Sequence, residues 1–171
     1  MSAADRHRDP ISRRVFGFEA DFAGDLRCLP MAVRRKLDLA GVKLKLVHWH
    51  ALAEDERRLL LAWGDGATSL AELRSWLLER SASLAEGPAR AIEPVQEPAW
   101  RAAAWPEPVL RSCAQLGLPL RPERWSALDE LQRFALVKLS HPGHEHRNLP
   151  RALAEFGALE GEPPVSDPQH R

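Results

Sequence analysis

The sequence predicts an all-α protein, and three observations predict it. Apolar residues recur at spacings of three and four, most regularly at Trp125, Leu128, Leu131, Ala135 and Leu139. Proline and glycine stand at the two ends of such stretches, as in the pairs Pro30 and Gly41, Pro106 and Gly117, and Pro150 and Gly157. Proline is tolerated in a first helical turn and glycine suits the left-handed stop. Sustained two-residue alternation is missing; Gly41-Val-Lys-Leu-Lys-Leu-Val47 alternates briefly and is the one ambiguous piece.

The elements follow in order. Residues 31–40 carry Val33 and Leu37 on one face. A second helix covers 52–63 and starts near His48. Thr68 is a candidate N-cap for a third, which runs through Leu70, Leu73, Trp76 and Leu77 to about Leu84. Residues 106–116 form the next. Pro122 opens the longest helix, which stops at Ser140-His141-Pro142-Gly143. A short last helix starts at Pro150. Residues 1–14 and 158–171 are polar, and read as disordered tails that cannot bury enough apolar surface to offset ordering. Pro88, Pro94 and Pro98 mark 86–99 as an internal linker. What is left, 15–157, reads as a single helical domain.

Shifting the chain by 76 residues lays Pro30–Leu60 over Pro106–Leu136 without a gap, and 11 of 31 positions are identical. About two are expected by chance for this composition. The identities include Gly41/Gly117, Trp49/Trp125, Leu52/Leu128 and Arg57/Arg133. Each copy, 30–63 and 106–139, reads as a helical hairpin with one apolar face that it cannot bury alone. The expected architecture is therefore two repeated hairpins with pseudo-twofold symmetry, their tryptophans in the core.

The chain has 171 residues, with 24 Lys and Arg against 24 Asp and Glu. Zero net charge argues against a protein that coats nucleic acid or an anionic membrane. The longest apolar run is far shorter than the roughly 20 residues of a membrane span. The polar, arginine-rich start has no apolar segment of a secretory signal. Two cysteines, Cys28 and Cys113, make no metal or disulfide framework, and read as reduced thiols of a cytoplasmic protein. Neither a phosphate-binding glycine loop nor a nucleophile elbow is present.

The densest chemical cluster is His141, His144, Glu145 and His146. Imidazole and carboxylate are ligands for zinc or iron, but Pro142 and Gly143 make this a loop, not a helical HExxH face. The alternative is a polar turn in which Asn148 caps the last helix. His48 and His50 flank Trp49 and point apart on a helix, which fits a core anchor with polar neighbours better than a metal pair. Cys28 stands beside Arg27 at a helix start. That could activate the thiol, and a buried structural thiol is the competing reading.

Four stretches carry a family resemblance: Phe16-Gly-Phe18-Glu19-Ala-Asp21-Phe22; Leu26-Arg27-Cys28-Leu29-Pro30-Met31-Ala-Val33-Arg34-Arg35-Lys36-Leu37-Asp38-Leu-Ala-Gly41-Val-Lys43-Leu44; Leu131-Gln132-Arg133-Phe134-Ala135-Leu136-Val-Lys138-Leu139-Ser140; and His144-Glu145 with Asn148, closing on Glu155-Phe156. They resemble the nitrate reductase-associated protein family, best known from cyanobacteria, over about Phe16 to Gly157. His50, Cys113, His141 and His146 lie outside its pattern, and the linker departs from it. The resemblance implies a small cytoplasmic protein tied to assimilatory nitrate reductase and molybdenum-cofactor genes and needed for nitrate reductase activity; the family has no established reaction, and no catalytic residue or cofactor is expected here. The expected role is a non-catalytic maturation or assembly partner of that reductase. The expected partner surface joins Arg27, Arg34, Arg35 and Lys43 to Lys138, His144, Glu145 and Asn148; such Arg and Lys groups suit an acidic segment or a phosphate. The competing class is a metal-binding protein or metalloenzyme that uses His144, Glu145 and either His141 or His146.

Overall fold

Proline and glycine punctuate the chain in the structure, a computed structural model that describes residues 11–141 and 147–161. The described chain is mostly helical, with a single two-stranded sheet. It divides into two compact units, Met1–Gln96 and Glu97–Arg171.

The first unit contains α1 (Ala20–Ala23), α2 (Met31–Ala40), β1 (Val42–Lys43), α3 (Leu46–Ala51), α4 (Glu54–Ala62), α5 (Ala67–Ala82) and β2 (Arg90–Ala91). Extended Pro30 leads into α2, and Gly41 closes it at φ +79°. A Cβ at Gly41 would lie 2.4 Å from the Arg74 guanidinium and 2.5 Å from the Ile92 carbonyl, so only glycine fits. Of the ambiguous stretch only Val42 and Lys43 become strand, antiparallel to β2 with Val42 opposite Ala91. The core gathers Val33, Leu37, Trp49, Leu52, Leu60, Leu73 and Leu77.

The second unit contains α6 (Glu107–Leu116), α7 (Arg124–Ala127), α8 (Glu130–Leu139) and α9 (Asn148–Glu155). Its core holds Val109, Trp125, Leu131, Phe134, Leu136, Leu149, Leu153 and Phe156. A 3₁₀ turn over Ala99–Arg101 sets the Trp100 ring edge-on to Phe134 at 4.9 Å.

Several boundaries differ from the sequence expectation. The helix expected from His48 to Trp63 is two helices, because Leu52 is extended (ψ 144°) and the Glu56 carboxylate takes the Ala53 N–H to restart α4. The one expected from Pro122 breaks likewise at Leu128 (ψ 144°), where Asp129 and Gln132 exchange side-chain-to-backbone hydrogen bonds of 2.9 Å. A periodicity of three and four survives such a break when the same side stays buried. Helix α5 follows extended Gly66 with no side-chain cap, so Thr68 is inside it. Asn148 is the first residue of α9 and accepts from Arg151, where capping from outside was expected.

Ordered structure also runs past the expected limits. Ile11–Arg13 forms a 3₁₀ turn against α2 and α4. Leu159 bridges to Leu120, and the Glu160 N–H bonds to the Pro119 carbonyl at 2.8 Å. The stretch expected to be a linker is tied down as well: the Ala89 N–H bonds to Ser81 Oγ and the Val95 N–H to the Asp38 carbonyl.

Candidate functional site

The first unit presents a mixed basic and apolar face at α3. Trp49 sets its direction: the indole is fully buried and its Nε1–H donates to the Leu26 carbonyl at 2.7 Å. Val47, two residues before Trp49, turns outward and is 52 % exposed, and Leu46 at the start of the helix is 46 % exposed. His48 is buried. Its Nδ1 accepts the Lys45 N–H, and its Nε2–H donates to the Gly87 carbonyl, both at 3.1 Å. His50 points the other way, as residues two apart must; it is exposed, and its Nε2–H donates to the Arg27 carbonyl at 2.8 Å. That bond holds Arg27 beside α3. Exposed Lys43 and Lys45 precede the helix. Lys43, Lys45, Leu46, Val47 and His50 are thus exposed along one short stretch, and the His50 bond brings Arg27 to its end.

Its base is strained. Leu26 sits at φ +62°, costly for a residue with a Cβ. The conformation aims its carbonyl at two donors, Trp49 Nε1–H and an Arg57 guanidinium N–H at 3.0 Å.

The expected partner residues do not all face solvent. Arg27 is exposed and paired with Asp25 at 2.7 Å. Arg34 is half-buried and donates to the Leu29 carbonyl at 3.1 Å; burial lowers its pKa, against the pull of the Glu19 charge. Arg35 is buried and paired with Asp65 at 2.9 Å. In the other unit, Lys138 is half-buried with its Nζ 5.9 Å from the Phe134 ring centroid, and Asn148 is half-buried on α9. His141 is exposed. His144, Glu145 and His146 lie outside the described residues, and with them the expected metal cluster and part of the expected partner set. Among the described residues, no group of three or more His, Cys, Asp or Glu could hold a metal ion.

Sequence reasoning missed Lys36, Glu19 and the Lys45-Leu46-Val47 run. Lys36 is fully buried, and its ammonium donates to the carbonyls of Leu60, Leu61 and Trp63 at 2.7, 2.8 and 3.0 Å. It satisfies the C-terminal end of α4. Burial pushes its pKa down to about 8. The signal was readable: Lys36 sits within the apolar stripe of Ala32, Val33, Leu37 and Ala40. Glu19, also buried, accepts the Met31 N–H at 3.0 Å at the first turn of α2, where the helix dipole favours an anion. Both cysteines are free thiols. Cys28 is half-buried, and burial raises the Cys113 thiol to about 11.

A family profile described as conserved nitrate reductase-associated protein matches residues 15–156. The chain belongs to that family. No curated protein and no solved structure matches it. The family match takes in both units and the α3 face with its Leu26 base. No helix among the described residues is long and apolar enough to cross a membrane.

Proposed function

We propose that this member of the nitrate reductase-associated family is a non-catalytic maturation or assembly partner of an assimilatory, molybdenum-dependent nitrate reductase. The family match over residues 15–156 carries the proposal. The α3 face supports it and refines the surface. Exposed Leu46 and Val47 supply apolar area, while Lys43, Lys45 and Arg27 supply positive charge around it. Interfaces pair an apolar centre with a charged rim that steers the partner. Arg34 and Arg35 leave the contact set because their guanidinium groups serve the fold. The proposal extends to origin: segments 30–63 and 106–139 are two copies of one helical unit.

The test is co-purification of nitrate reductase with the tagged chain, beside a Lys43→Glu/Val47→Asp variant checked for unchanged thermal unfolding. Retention of reductase by the wild type, falling by about tenfold or more in the variant, is expected for a loss of at least 1.4 kcal/mol of binding. Equal retention by both removes the α3 face from the interface. No retention by the wild type overturns the partnership.

A further inference from the structure

A second surface of the first unit has the chemistry of a cation site. An open concavity of about 520 Å³ lies along α5, lined by Trp63, Ala71, Glu72, Ser75, Trp76 and Glu79 among others. Its two indoles stand 5.8 Å apart at a 43° tilt. Each packs one side on the core and leaves part of its surface open. Trp63 is fixed by its Nε1–H, which donates to the Ser69 carbonyl at 2.8 Å. Trp76 lies between Glu72 and Glu79 on one helix face, four residues after the first and three before the second.

Among the described residues, the rim carboxylates are uncompensated beside the indoles, whereas several others of this unit are paired. Asp25, Glu54, Glu56 and Asp65 pair with Arg27, Arg58, Arg80 and Arg35. Glu72 and Glu79 are exposed and make no ion pair with a described residue. Two carboxylates flanking an open indole are complementary to a planar cation. A guanidinium stacks on an indole face while its N–H fork engages carboxylate oxygens.

We propose that this concavity binds an arginine side chain presented by an extended basic segment of a partner protein. The opposite charge makes it a surface distinct in kind from the basic α3 face, and the proposal stands apart from the nitrate reductase reading. Its test uses only a synthetic peptide, so either can fail alone.

The full-length chain is titrated against a fluorescently labelled Arg-Gly repeat peptide, with Lys-Gly and Glu-Gly repeats as comparisons. Saturable binding is expected for the arginine peptide, weaker binding for lysine and none for glutamate. Glu72→Gln/Glu79→Gln should weaken binding about tenfold or more, and Trp76→Leu severalfold. A Glu54→Gln/Asp55→Asn variant on α4 should leave it unchanged. If Trp76→Leu fails to fold, the exposed glutamate pair decides. Absent saturation at millimolar peptide, equal binding by all variants, or an equal loss in the α4 variant overturns the site.

Discussion

The stretch from α2 to α4 and the stretch from α6 to α8 share several local features and use them differently. Both begin after an extended proline, and both close their first helix on a left-handed glycine, φ +79° at Gly41 and +65° at Gly117. Both bury a tryptophan whose Nε1–H donates to a carbonyl 23 residues earlier, Leu26 for Trp49 and Ala102 for Trp125. Both break at an extended leucine with ψ 144°. The side chains inside then diverge. Where α2 buries the Lys36 ammonium against three carbonyls, α6 has Ser112, whose hydroxyl donates to the Ser140 carbonyl at 3.1 Å. Arg35 is buried against Asp65, while Arg111 is exposed and reaches Glu107 at 3.5 Å. Leu26 is strained; Ala102, at φ −59°, is not. A helix between an extended proline and a left-handed glycine thus carries a buried charge in one stretch and a buried neutral hydroxyl in the other. The Arg34-Arg35-Lys36 run, two of whose residues were expected on a partner surface, is largely an internal scaffold of the first unit.

The largest effect should come from the feature the two stretches share. Trp49 and Trp125 are 0 % and 1 % exposed. Truncation of a buried tryptophan to alanine costs about 3–5 kcal/mol, a large part of a domain's stability. Trp49→Ala and Trp125→Ala should each lower the midpoint of denaturant unfolding by a matching amount. A cost for one and not the other would break the comparison at its anchor.

Lys36 and Ser112 come next and sharpen the difference. Lys36→Met leaves the Leu60, Leu61 and Trp63 carbonyls without their donor, and should cost about 3 kcal/mol at neutral pH. Ser112→Ala removes one neutral hydrogen bond and should cost about 1 kcal/mol. Only the lysine adds a pH term. Its folded pKa of about 8 lies below the unfolded value of 10.5. Between those two values the unfolded chain holds a proton that the folded chain has released, so stability rises with pH across the window. The gain is about 3 kcal/mol by pH 10.5, and Lys36→Met should lack it. The Cys113 thiol, raised from 9.0 to about 11, acts in the opposite sense at the alkaline end. The readout is therefore wild type minus variant, in which that contribution cancels. A difference flat from pH 8 to 10 would show that Lys36 is not desolvated.

How far the sequence reaches is visible in these same residues. Helix starts and stops at Pro30, Gly41, Pro106 and Gly117 are local signals, because proline and glycine restrict or free the backbone whatever surrounds them. The burial of Trp49 and Trp125 followed from the spacing of their apolar neighbours. The breaks at Leu52 and Leu128 were hidden because hydrophobic spacing records which side is buried and not whether the ladder continues. The strand pairing of Val42 with Ala91 depends on a chain reversal nearly fifty residues long, which no local pattern encodes. The face at α3 was half legible. Arg27 and Lys43 stood out as charges, but Leu46 and Val47 look like core residues; buried Trp49 places Val47 outward, while Leu46 is exposed because it opens the helix. Arg35 misled for the converse reason, since a charge run tells nothing of a partner waiting at Asp65, while Lys36 was legible in its apolar stripe and was missed.

The smallest effect concerns the caps at the start of α4 and α8, where one stretch has a side-chain acceptor at the cap position and the other has none. Asp129 has extended backbone (φ −76°, ψ 171°) and its carboxylate accepts the Gln132 N–H at 2.9 Å. Ala53 has nearly the same backbone (φ −65°, ψ 156°) but no side-chain acceptor to offer. In both, the residue three further on reaches back to the cap N–H, Gln132 at 2.9 Å and Glu56 at 2.8 Å. Asp129→Ala should therefore cost about 1 kcal/mol, and leave α8 capped as α4 is. Ala53→Ser should complete the reciprocal pair with Glu56 and stabilise the chain by about 0.5–1 kcal/mol. Serine is the right acceptor for that cap, since a second carboxylate would stand against Glu56, whose own pKa is held down chiefly by the hydrogen bond from Arg80. Chemical denaturation of the two variants measures both shifts. Opposite signs are expected; a loss from Ala53→Ser would mean that the start of α4 is not the geometric equal of the start of α8.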